Sequence, residues 1–190
     1  NADQLVYSGM DADWIDTETI EDTSKTGFRL PSSDEWECAA RYIVDANGDG
    51  DIADAGEYYP GDHVSGDSTS YCYPSDGGTS TVFGDYAWYT DNSATTPNSD
   101  FYSGKGTHPV GTAGNGVGAG TPLTGNANAL GIYDMSGNVT EWCFTESGSS
   151  RVNRGGSWEN SAYGLRPGYV NDNYPDFSFF TTGCRFSRSP

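Results

Sequence analysis

Oxygen donors and aromatic rings, rather than thiols or imidazoles, are the chemical resources of this chain. The run DANGDGDIADAGE, Asp45 to Glu57, places Asp45, Asn47, Asp49 and Asp51 at every second residue, with Gly50 among them and Ile52 at an apolar position. Oxygens at that spacing can wrap a hard cation such as calcium, and the glycine permits the sharp turn that opens an EF-hand-type loop. The closing acid departs from that pattern, because Glu57 lies one residue beyond its usual place and Asp54 two residues short. A structural calcium loop and a solvated acidic turn both fit the run. Thiol and imidazole chemistry is thinly supplied. Cys38, Cys72, Cys143 and Cys184 are widely separated, and His63 and His108 are the only histidines, so no ordinary zinc site is spelled out. Cys38, Cys143 and Cys184 sit beside aromatic or apolar residues and are expected to be small buried side chains. One or two disulfides are compatible with the spacing, with no pairing preferred.

The third resource is the segment from Tyr163 to Phe180. It carries Tyr163, Tyr169, Tyr174, Phe177, Phe179 and Phe180 among Asn, Asp, Ser and Gly. These rings follow neither a period of 2 nor one of 3.6 for more than a few residues, so they do not read as one face of a strand or helix. Tyr, Ser, Gly and Asn are the vocabulary of antibody paratopes, where stiff rings give contact area at low entropic cost and small polar groups adapt. The expectation is that the six rings are exposed on one face, with Trp158, Leu165 and Arg166 buried behind them. The alternative is an ordinary loop whose rings pack inside.

The elements that must position these residues are few. A chain of 190 residues fits one domain, 1–190, with a real core, but 26 glycines and 34% hydrophobic residues point to a loop-rich fold rather than a helical bundle. Short strands are expected through Leu5–Tyr7, around Trp14–Ile20 and at Tyr86–Tyr89. A helix is expected from Ser32 or Ser33 to about Val44. Pro31 precedes it, Asp34 and Glu35 occupy its first turn, and Trp36, Ala39, Ala40 and Ile43 share one side. Residues 45–128 read as long loops that need staples.

Charge narrows the partners. The net charge is −18, and five of the nine basic residues lie in the last forty positions beside three acids, leaving 24 acids against four bases in residues 1–150. Such a surface repels phosphate backbones, which argues against nucleic acid. No apolar run is long enough to insert as a membrane helix.

Four blocks, in order, carry a family likeness: GFRLPSSDEWECAAR (Gly27–Arg41), YAWYTDNS (Tyr86–Ser93), ALGIYDMSGNVTEWC (Ala129–Cys143) and RVNRGGSW (Arg151–Trp158), followed by GCR (Gly183–Arg185). Together they resemble the formylglycine-generating-enzyme, or sulfatase-modifying factor, family. The resemblance implies an α+β, loop-rich C-type lectin fold of that subtype. It also implies a structural calcium ion on the Asp134 side chain, the Gly137 and Val139 carbonyls and the Glu141 carboxylate, a donor set suited to calcium. Thr140 stands where the family usually has Trp. Arg29, Arg41 and Arg154 are expected to fix loops through forked hydrogen bonds. The family's enzymes use two cysteines after the GGSW block, and the matching positions are Asn160 and Leu165, so neither a thiolate nor copper binding is supplied. The resemblance therefore implies no enzyme and no copper.

The last forty residues, 151–190, resemble the diversified region of the variable proteins of diversity-generating retroelements, which use this same fold. That resemblance implies a ligand-binding surface of Glu159, Asn160, Ser161, Tyr163, Gly164, Gly168, Tyr169, Asn171, Asp172, Asn173, Tyr174, Asp176, Phe177, Ser178, Phe179 and Phe180. It implies a partner that is another protein or a surface molecule, and an extracellular, cell-surface or virion-associated setting. A residual oxidoreductase and a carbohydrate lectin are the competing readings, although sugar-binding EPN and QPD signatures are missing from the sequence. The family domain usually has more than the 26 residues found here before its GFRLP block, so the N-terminal portion is expected to be either shortened or rebuilt.

Overall fold

The computed structural model describes residues 7–8, 19–22, 24–51, 54–73, 78–94, 104–114 and 125–188. In chain order the elements are β1 (Tyr7–Ser8), β2 (Ile20–Glu21), β3 (Phe28–Arg29), α1 (Ser33–Arg41), β4 (Cys72–Tyr73) and β5 (Gly78–Thr79). They continue with β6 (Thr140–Ser147), β7 (Ser150–Arg154), β8 (Asn171–Asn173), β9 (Thr182–Cys184) and β10 (Ser187–Arg188). Of the two expected N-terminal strands, Tyr7 falls in β1 and Ile20 in β2, while residues 5–6 and 14–18 lie outside the described residues.

Helix α1 starts as its sequence dictates. Ser32 is the N-cap: its Oγ accepts the Glu35 N–H at 3.1 Å, and Glu35 Oε2 accepts the Ser32 N–H at 2.8 Å, a reciprocal capping box. The helix stops at Arg41, three residues before the expected Val44. Tyr42 turns to φ −58° and ψ 132° and bridges to Tyr58, while Ile43 and Val44 both donate to the Glu57 carbonyl. Tertiary pairing thus overrides local helix propensity. The expected strand at Tyr86–Tyr89 does not form either. A 3-10 turn at Phe83–Asp85 leads into it, and the Asn92 side chain accepts from Tyr89 N–H and donates to the Ala87 carbonyl, taking up the groups that a ladder would use.

The central sheet has the strand order β8–β7–β6–β9. Strands β6 and β7 form an antiparallel hairpin with Glu141 opposite Arg154 and Trp142 opposite Asn153, and β9 joins β6 in parallel. Alternation along the strands gives the sheet two sides. Cys143 and Val152 point to one side, onto Trp36 and Ala40 of α1 and onto Met135. Thr140, Trp142, Arg151 and Asn153 point to the other. A second core cluster, Val64, Cys72, Phe83, Ala87, Tyr89, Ala162 and Leu165, packs the loops together.

Arginine forks hold these parts in place, as expected. Arg154 donates to Ser33 Oγ at 2.7 and 2.9 Å, to Glu37 Oε2 at 2.9 Å and to the Pro167 carbonyl at 2.8 Å, tying α1 to the chain beyond β7. Arg29 grips Glu35 with two hydrogen bonds, and Arg41 joins the Tyr59 carbonyl to Glu37. Two of the three cysteines expected to be buried, Cys38 and Cys184, are not. Cys72 and Cys143 are buried, Cys38 and Cys184 are exposed, and all four are free thiols. Among the described residues no helix is long and apolar enough to cross a membrane.

Candidate binding surface

The chain leaves β7 through Gly155 and Gly156, both at positive φ, which lets the backbone pass close to Trp36 and Leu165. Trp158 then anchors the segment in the interior, and a 3-10 turn at Ala162–Leu165 buries Ala162 and Leu165. From this base the six aromatics turn outward. Tyr163, Tyr169, Tyr174, Phe177, Phe179 and Phe180 are all exposed, between 36% and 64%. Large rings outside the core in one short segment are the pattern expected of a contact surface.

Five of the six rings fall into two groups. In the first, the Arg166 guanidinium lies 3.6 Å from the Tyr163 ring centre and 5.9 Å from that of Tyr169, and the two tyrosines meet edge to face at 5.8 Å. Arg166 is therefore half-buried, not fully buried as expected, because its charge is clamped between exposed rings and its Nε donates to the Tyr163 carbonyl. In the second group Phe177 stacks on Phe179 at 5.8 Å, Phe179 meets Phe180 at 4.0 Å, and Phe180 rests on the buried Trp158 at 5.9 Å.

Two hollows open on the same side of the sheet. The larger, about 410 Å³, is mainly apolar and lies between Trp142 and Arg151 of the sheet and Phe177 and Phe179 of the outer segment. The smaller, about 210 Å³, is polar; Thr140, Asn153 and the Gly155–Gly156 backbone face Asn160, Tyr163, Tyr169 and Asn171 across it. Sequence reasoning missed the sheet residues in both walls, since Trp142, Arg151 and Asn153 read there as ordinary scaffold.

Most sequence-predicted contact residues reach this surface. Glu159, Asn160, Ser161, Asn171, Asp172, Asp176 and Ser178 are exposed, and Gly164 and Asn173 are half-exposed. Asn160 also has a structural role, its Oδ1 accepting from Ser157 N–H and Oγ–H. Gly168 differs from the rest. Its N–H donates to the Gly61 carbonyl at 2.9 Å, and an added Cβ would stand 2.9 Å from that same oxygen, so a side chain there collides with backbone.

The calcium residues lie elsewhere. Asp134 and Glu141 share a small cleft of about 190 Å³ with Asn138, Val139 and Arg185. Asp134 sits at positive φ, accepts from Gly111 N–H at 2.9 Å and from the Asn138 amide at 3.4 Å, and has its pKa raised by burial. Both of those donors are neutral, so a cation suits this carboxylate. Glu141 is otherwise engaged: Trp36 Nε1 donates to it at 2.7 Å, and Arg185 grips both its oxygens at 2.8 and 3.0 Å. Of the family-type donor set, Asp134, Val139 and Glu141 line this cleft and Gly137 does not, and the Glu141 charge is already met by a guanidinium. In the acidic loop, Asp45 accepts from Gly48 and Gly50 N–H, and Asn47 spans Asp49 and Asp54. Glu57 is buried beneath it, one oxygen accepting from Ala46 N–H and the other without a protein partner. Ile52 lies outside the described residues, among which no group of three or more His, Cys, Asp or Glu side chains is gathered around a metal position.

The positions of the enzyme cysteines hold an exposed Asn160 and a fully buried Leu165. Partial desolvation raises the thiol pKa of Cys38 and Cys184 although both reach the surface, and full burial pushes that of Cys143 up to about 12, so these thiols are the reverse of activated. His108 is buried too, stacked on Trp88 at 3.5 Å, and desolvation lowers its pKa.

Residues 10–190 match the sulfatase-modifying factor enzyme 1-like domain. The chain belongs to that family. Treponema denticola variable protein 1 is similar in structure, with a TM-score of 0.58 and 29% identity over 94% of this chain and 54% of that one. CarF is similar in fold, with a TM-score of 0.51 and 24% identity over 91% of this chain and 51% of its own. The chain thus spans about half the length of these relatives. A 42-residue stretch is 50% identical to the chaperone protein LppX of Paenibacillus barcinonensis, covering 18% of this chain and 15% of that protein. The sulfatase-modifying factor domain here has the α+β, loop-rich C-type lectin fold, and its likeness to a variable protein agrees with the resemblance seen in its last forty residues.

Proposed function

We propose that this domain is a ligand-binding protein without enzymatic activity, whose exposed 159–180 segment is a diversified contact surface of the diversity-generating-retroelement kind. One observation carries the reading: the six rings between Tyr163 and Phe180 are all exposed while Trp158 and Leu165 beneath them are buried. A surface meant to vary must draw its residues from outside the core, because exposed substitutions typically stay within about ±0.5 kcal/mol whereas buried aromatics cost ~3–5 kcal/mol. The similarity to a Treponema denticola variable protein supports it. The absence of cysteine at Asn160 and Leu165, with burial holding three of the four thiols up, supports a non-enzymatic role within a family that includes enzymes. The partner is a protein or surface molecule, met in an extracellular, cell-surface or virion-associated setting. Calcium at Asp134 and the Gly137 and Val139 carbonyls serves as a structural ion.

Sequencing the gene's 3′ end across a natural population tests the reading. The expected result is substitution concentrated at exposed positions such as Asn160, Tyr163, Tyr174 and Phe177, with Trp158, Leu165 and Gly168 constant, beside a reverse-transcriptase gene and a near-copy template. Uniform copies with no such neighbours would overturn it. In a parallel test, copper and a cysteine-containing sulfatase peptide should yield no formylglycine.

A further inference from the structure

The polar hollow has a floor that its role as general contact surface does not explain. Asn153 is 1% exposed, and neither its amide oxygen nor its amide nitrogen has a hydrogen-bond partner among the described residues. A buried carboxamide left wholly unpaired opposes folding, and such groups are rare in native interiors. It sits in mid-strand on β7, opposite Trp142 on one neighbour and Asn171 on the other, so its direction is set by the sheet and not by a loop. Thr140 lines the same hollow at the position where the family usually carries a tryptophan, and the smaller side chain helps leave the space open. The outer wall is made of exposed side chains, Tyr163, Tyr169 and Asn171 among them. Rotamer changes of exposed residues take ps–ns and open a path inward.

We infer that the polar hollow is a specificity pocket for a primary carboxamide, the side chain of a glutamine or asparagine on a protein partner, and that Asn153 is its fixed recognition group. The inference rests on the contact-surface reading above. A primary carboxamide presents a donor and an acceptor side by side on one edge, as Asn153 does, so the two pair in a planar ring of two hydrogen bonds. A carboxylate would set acceptor against acceptor at Asn153 Oδ1, and no free cation serves the hollow: Arg154 is spent on Ser33, Glu37 and Pro167, and Arg166 on Tyr163. An ammonium would find one neutral oxygen and repulsion from the amide nitrogen's hydrogens. A thioether would leave both amide groups unpaired. Around this floor the exposed residues can change while the Asn153 requirement persists, so different versions of the surface would share a preference for a carboxamide at one point of the partner.

The test is proton–nitrogen NMR of the intact chain, following the Asn153 side-chain amide resonance, assigned by its disappearance in Asn153→Leu. The probes are N-acetylglutamine methylamide, the matching glutamate and methionine compounds, and methyl glucoside. The expected result is a saturable shift with the glutamine probe, at least roughly tenfold tighter than with the others. Asn153→Leu, which keeps the heavy-atom shape, should abolish the glutamine-dependent shifts of the backbone amides that line the hollow, such as Gly164 and Asn171, and raise the melting temperature by about 2–8 °C. Equal response to all probes, response to the glucoside alone, or no response because the hollow holds only water would overturn the carboxamide pocket. Such a failure beside natural gene copies that vary at the exposed positions discards the pocket and leaves the contact surface standing.

Discussion

Replacing Tyr174, Phe177 and Phe179 together by Ser separates a contact surface from a core. The three rings are 64%, 40% and 43% exposed, so each hides roughly half of its surface, part of it against the other rings of the same segment. Fully burying such a side chain is worth ~1.5–3 kcal/mol, which puts the half-covered rings at about 0.5–1.5 kcal/mol each. Compactness of the unfolded chain trims such sums by roughly 10–40%, leaving a total loss of about 1–4 kcal/mol. Three core aromatics would instead cost ~9–15 kcal/mol, the whole stability of an ordinary domain. Thermal and urea unfolding followed by far-ultraviolet circular dichroism would measure the difference. The expected outcome is a cooperative transition lowered by roughly 3–10 °C, against collapse of the transition for Trp158→Ala, whose ring is 4% exposed and supports Phe180. A triple variant that loses more than about 6 kcal/mol, or its cooperative transition, would show that these rings hold the fold together, and the variable-surface reasoning would fail.

Calcium should raise the melting temperature and chelation lower it, since an ion bound only by the folded state stabilises it. Asp134→Asn should remove most of that response, and whatever remains reports the acidic loop at Glu57; equal responses in both proteins would clear Asp134 of the role. In chelator, burial holds the Asp134 carboxyl above its ordinary range, so the folded chain takes the proton more readily than the unfolded one. Its contribution to stability is then fully present below the ordinary carboxylate pKa and is lost as pH rises through the raised one, a slope that should flatten in Asp134→Asn and that pH-dependent melting would reveal. Gly168→Ala should cost about 1–3 kcal/mol, because its Cβ would stand 2.9 Å from the Gly61 oxygen, while Gly164→Ala, whose nearest new neighbour is 3.4 Å away, should stay within about ±0.5 kcal/mol. The reverse order in urea melts would show that Gly168 belongs to the variable set.

What the sequence revealed, it revealed through features that act locally or in fixed order. Ser32 with Glu35 three residues on spells a capping box, and the box formed. The ordered blocks led to the family, and the aperiodic rings of residues 163–180 led to an exposed surface. The misses have two causes. The stop of α1 at Arg41 is decided by Glu57 and Tyr58, about sixteen residues on, whereas the lost strand at Tyr86–Tyr89 and the half-exposed Arg166 are decided by side-chain contacts three residues away, Asn92 and Tyr163. A short-range pattern carries no trace of the first kind of partner, and periodicity alone does not weigh a local side-chain bond against a ladder.

Asn153 shows the same limit from the other direction. In RVNRGGSW it reads as one polar residue between two scaffold arginines, and only the sheet register exposes its predicament. Val152 goes to the core with Trp36 and Cys143, so Asn153 is turned to the far side, beside Trp142 and beneath the exposed 159–180 segment. The two arginines that flank it find partners: Arg154 across to α1, and Arg151 onto the Phe144 carbonyl and ring. Asn153 has none among the described residues. Under the proposed contact surface, a strand residue held by the sheet on both sides is the firmest place for a constant recognition group.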